Sequence, residues 1–120
     1  MVETLENEIL KRGMEDLIQL AEVISVAHSV INVELGPQMF SAVSECVGSL
    51  LNQRLVLVGD LDYSGSPLKV VPWPGEPSET VDRIMKEWTA LNRDPGLGEI
   101  CWLELTTEGR RFGSRSVSDD

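Results

Sequence analysis

The chain has 120 residues, 42% of them apolar, and carries a formal net charge of −10 from 20 acidic and 10 basic side chains. That length suits a single domain over residues 1–120, able to bury one core without disulfide or metal staples. No apolar run approaches the roughly 18 residues of a membrane span, the acidic residues 1–8 argue against a secretory signal, and the acid excess opposes the phosphate neutralisation on which nucleic-acid binding rests. These features predict a cytoplasmic protein with no membrane contact.

In chain order, residues 3–13 place Leu5, Ile9 and Leu10 among charged positions, the spacing of a short amphipathic helix stopped by Gly13. Leu20, Val23, Ile24 and Ala27 repeat at helical intervals and predict a second helix over 19–30, with Leu17 and Ile18 as a short extended entry. Residues 32–36 break it, and Pro37 suits the first turn of a third helix. Over 37–53, Met39, Phe40, Ala42, Val43, Cys46, Val47, Leu50 and Leu51 make one broad apolar face. Gln38, Ser41, Ser44, Glu45, Gly48, Ser49 and Asn52 make the other.

Residues 55–61 are a β-type run that includes Gly59. From 63 to 77 the chain reads as a loop, with four of the six prolines between 67 and 77. A fourth helix is predicted after Pro77, capped by Ser78, with Glu79 and Asp82 in its first turn. Its apolar stripe is Val81, Ile84, Met85, Trp88 and Leu91, and residues 92–96 end it. Residues 100–105 predict a second strand and 106–111 a single helical turn. Residues 114–120 are expected to be a flexible tail.

The side chains that carry chemistry are few and scattered. His28, the one histidine, has no partner at three or four positions and reads as a helix-surface or packing residue. Cys46 and Cys101 fall on apolar positions and read as reduced core thiols, although spacing alone neither requires nor forbids a bridge. Asp60 and Asp62 flank Leu61 at a strand end with no third polar partner in view, and a calcium loop needs more oxygen ligands at tighter spacing. No glycine pattern is followed by the lysine and hydroxyl of a phosphate loop. The sequence therefore predicts no enzyme, catalytic residue, metal or cofactor. Arg110, Arg111 and Arg115 are the one basic cluster. Trp73, set between two prolines, either closes the loop over the body of the domain or, if exposed, is a candidate anchor for a partner.

Two phrases carry a resemblance. In Leu50-Leu51-Asn52-Gln53-Arg54-Leu55-Val56-Leu57-Val58-Gly59 a helix runs directly into a strand. The second is Leu105-Thr106-Thr107-Glu108-Gly109-Arg110. Over about residues 15–112 the chain resembles a winged-helix domain, in which the third helix leads into the first wing strand and the returning strand often ends in a similar phrase. It also resembles a group of small uncharacterised bacterial, mainly actinobacterial, proteins that share Val58-Gly59-Asp60-Leu61, a proline- and tryptophan-containing loop and a later helix. The resemblance implies an α+β, winged-helix-like fold: three N-terminal helices, a small antiparallel sheet and a helix inserted between the wing strands, with 61–99 as the insertion.

In a winged-helix DNA-binding regulator the third helix would enter the major groove. Here that reading assigns Gln38, Ser41, Ser44 and Asn52 to bases and Arg110 and Arg111 to phosphates. Yet no exposed position of the third helix is basic, and Glu45 would meet phosphate with the wrong sign. The favoured expectation is a non-enzymatic protein-interaction module of immunity, antitoxin or adaptor type. It would bind a basic protein through Trp73, Glu45, Asp60 and Asp62. The short amphipathic helices are also compatible with a homodimer.

Overall fold

A computed structural model describes residues 4–118. The described chain starts at Thr4, whose hydroxyl accepts from the amide of Asn7 at 3.1 Å and so caps helix α1 (Leu5–Gly13). A two-residue strand, β1 (Ile18–Gln19), follows and leads straight into α2 (Leu20–Ser29), the extended entry expected from Leu17 and Ile18. Helix α3 (Pro37–Asn52) has Pro37 at its first position and buries Met39, Val43, Cys46, Val47 and Leu50, the centre of the predicted apolar face. Phe40, Ala42 and Leu51, at the edges of that face, are half-buried.

Strand β2 (Val56–Asp62) emerges from α3 through Arg54, which adopts φ 60°. The proline-rich composition of residues 63–77 predicts a loop. The structure instead places a strand there, β3 (Lys69–Pro72), antiparallel to β2 with Asp60 opposite Val71 and Asp62 opposite Lys69. The β-branched pair Val70-Val71 supplies the propensity, and Pro72 is tolerated because β3 is an edge strand. The composition signal for a loop was real, but it marked the ends of a short edge strand.

Helix α4 (Pro77–Leu91) begins one turn after β3. Its cap is Glu76 rather than the predicted Ser78. The Glu76 carboxylate accepts from the Glu79 amide, and the Glu79 carboxylate accepts from the Glu76 amide. Pro77 then fills the first helical position, where a missing N–H costs nothing. Asn92, at φ 56°, ends the helix in a left-handed turn. Strand β4 (Trp102–Leu105) enters the sheet between β1 and β2, pairing Leu103 with both Ile18 and Val58. The sheet order is β1-β4-β2-β3 and every pairing is antiparallel.

The single helical turn predicted at 106–111 is a full helix, α5 (Thr107–Ser118), so the flexible tail expected from residue 114 is helical through Ser118. Residues 119–120 lie outside the described residues. Tertiary packing accounts for the extension. At Gly113 an added Cβ would come within 2.9 Å of the Leu10 carbonyl oxygen, so α5 lies directly on α1. Among the described residues the fold is thus α+β, with five helices and a four-stranded antiparallel sheet. Its core joins Ile9, Leu20, Val23, Met39, Val43 and Leu50 of the first three helices to Ile84 of α4 and Leu103 of β4.

Candidate functional site

Helix α4 packs along α3, and the polar face of α3 looks into the groove between them. Gly48 of α3 faces Val81 of α4. A Cβ there would sit 3.6 Å from the Val81 side chain, so Gly48 and Val81 form the floor. The groove holds about 600 Å³. Ser44, Glu45 and Asn52 line it from α3, and Glu76, Ser78 and Asp82 from the start of α4. No lysine or arginine lines it. Glu76 is occupied in the cap of α4, whereas among the described residues Glu45 and Asp82 have neither an ion-pair nor a hydrogen-bond partner.

The residues that sequence reasoning assigned to DNA bases are divided by this packing. Gln38, Ser41 and Asn52 are exposed, and Ser44 is half-buried against the α4 side. Arg110 and Arg111 lie on α5, which packs on α1 and β4 rather than beside the groove. Arg111 donates to Glu108 at 2.8 Å. Arg110 borders a cleft that it shares with Asp16, Lys69 and Glu104. Only the backbone of Arg115 is described. The predicted basic cluster therefore does not join α3 into one cationic surface.

The four residues assigned to partner binding also separate. Glu45 is exposed in the groove. Asp60 is exposed on β2. Asp62 closes β2: one of its oxygens accepts from the Ser64 hydroxyl at 2.6 Å and the Ser64 amide at 2.9 Å, which hold its carboxyl below the usual aspartate range. Trp73 is not an exposed anchor. It is only 7% exposed, its amide donates to the Val58 carbonyl at 3.0 Å, and the Arg83 guanidinium lies 3.7 Å from its ring centroid. Stacking of the cation on the ring closes the β3–α4 turn over the core. Of the two sequence readings of Trp73, closure of the loop over the body of the domain is the one that its burial bears out.

Neither thiol is poised for chemistry. Cys46 and Cys101 are buried free cysteines. Burial, with Glu6 nearby, pushes Cys46 far up, and burial, with Glu87 and Asp60 nearby, pushes Cys101 up to about 12. His28 donates through Nδ1 to the Val33 carbonyl oxygen at 3.0 Å, which ties down the turn after α2. Among the described residues no group of three or more His, Cys, Asp or Glu side chains is arranged to hold a metal ion, and no helix is long and apolar enough to cross a membrane.

Sequence reasoning missed the α4 half of the groove. The polar face of α3 was legible from its period, but which element would face it was not, because contact between residues 44–52 and 76–82 is set by tertiary packing. Compared with protein-family models, curated proteins and solved structures, the chain matches none.

Proposed function

We propose that the chain is a non-enzymatic protein-interaction module on a modified winged-helix scaffold, and that the α3–α4 groove receives a basic segment of its partner. The observation that carries this reading is the set of acids at the groove: Glu45 and Asp82 unpaired, Glu76 beside them, and no cation among the lining residues. Carboxylates converging on a partly apolar floor favour a lysine- or arginine-bearing surface and repel a polyanion. The net charge of −10 acts in the same direction at longer range. An immunity or antitoxin-type protein that masks a basic toxin is one form of this function, and a regulatory adaptor is another.

The scaffold reading is supported by the order of elements. Three helices precede β2, β4 returns antiparallel to it, and β3 with α4 is inserted between them. That order also favours the competing reading, a DNA-binding regulator. Against it stand the packing of α4 beside the polar face of α3 and the position of Arg110 and Arg111 on α5.

The test compares wild type with the E45Q/D82Q variant as bait in an extract of the source organism. The expected result is an identified basic protein retained by wild type and lost both with the variant and on raising salt. Equal retention by both baits would overturn the proposal, as would saturable binding of the chain to its own upstream duplex DNA.

A further inference from the structure

We draw no further inference here: the strongest candidate, the tip of the β2–β3 hairpin where Tyr63, Leu68 and Val71 are exposed beside Asp60 and Asp62, is an unpartnered apolar face and nothing in the structure shows what covers it.

Discussion

The hydroxyl of Thr106 donates to the carbonyl oxygen of Arg54 at 2.7 Å, and the Thr106 hydroxyl oxygen itself accepts from the amide of Gly109 at 3.0 Å. One side chain therefore ties the left-handed turn between α3 and β2 to the first turn of α5. Next to it, the Thr106 amide donates to the Leu55 carbonyl at 3.0 Å, and a Cβ on Gly109 would stand 2.0 Å from that carbonyl oxygen. The Leu-Thr-x-x-Gly phrase at 105–109 thus has a local physical basis: a buried leucine, a cap and a close backbone approach.

Thr106→Val keeps the shape and removes both hydrogen bonds. A lost helix cap costs about 1–2 kcal/mol, and the Arg54 carbonyl loses a partner as well. Urea denaturation is expected to show T106V destabilised by that amount or somewhat more, with T106S close to wild type. Equal stability of all three proteins would remove Thr106 from this role.

Two glycines give opposite expectations. A Cβ on Gly59 would lie 1.9 Å from the Val71 carbonyl oxygen, a backbone atom that cannot move without breaking the β2–β3 pairing. G59A is expected to lose more than about 2 kcal/mol, among the larger effects of single substitutions. Gly48 lies inside α3 with only the Val81 side chain nearby, at ordinary contact distance. G48A is expected to gain about 0.5–1 kcal/mol from helix propensity. Thermal melts of both variants decide the matter, and a destabilised G48A would mean that the helices sit closer than described.

The loop between α4 and β4 depends on one ionised carboxylate. Glu99 receives two bonds from the Arg93 guanidinium, at 2.6 and 2.8 Å, and one from the Gly96 amide at 2.7 Å. The bonds from Arg93, then that from Gly96, hold its carboxyl down from 4.5 to about 2. Because the folded value is depressed, this contribution to stability is fully present above the ordinary glutamate range and is lost as pH falls from about 4.5 towards about 2. NMR titration of the Glu99 side chain is expected to give a midpoint well below that of an exposed glutamate, and E99Q is expected to flatten this part of the acid stability curve. A midpoint near 4.5 would show that the Arg93 clamp does not hold in solution.

Both thiols are closed to solvent, each 1% exposed, and burial suppresses their thiolate forms. A colorimetric disulfide reagent is expected to label neither Cys46 nor Cys101 in the native protein and both once denaturant is added. Rapid labelling of either in native conditions would contradict their placement.

Much of the helical framework was legible from periodicity. The face spanning Met39 to Leu50 repeats at three and four positions and turns inward as that pattern requires. Strand β3 and the length of α5 were not legible. Lys69–Pro72 is too short and too proline-flanked to signal a strand by itself, and β2 supplies its partner. Likewise the glycine and serine content of 107–118 gives weak helix propensity, which docking on α1 overrides. The candidate site was half legible for the same reason. Glu45 could be read as exposed and acidic from its helical position, but that it lines one groove with Asp82 and Glu76 is a consequence of how α4 packs on α3. Trp73 could be read either as loop closure or as an exposed anchor, because the stacked Arg83 that accompanies its burial lies ten residues away.

The central claim is that the α3–α4 groove selects cations and rejects polyanions. Backbone amide shifts of the labelled protein, followed at physiological salt during titration with a lysine- and arginine-rich peptide and separately with duplex DNA, test it most directly. The account predicts that the peptide moves residues 44–52 and 76–82, that E45Q/D82Q weakens the effect several-fold, and that DNA moves neither segment. Saturable DNA-induced shifts along α3, or peptide shifts that avoid the groove and ignore the two substitutions, would contradict it.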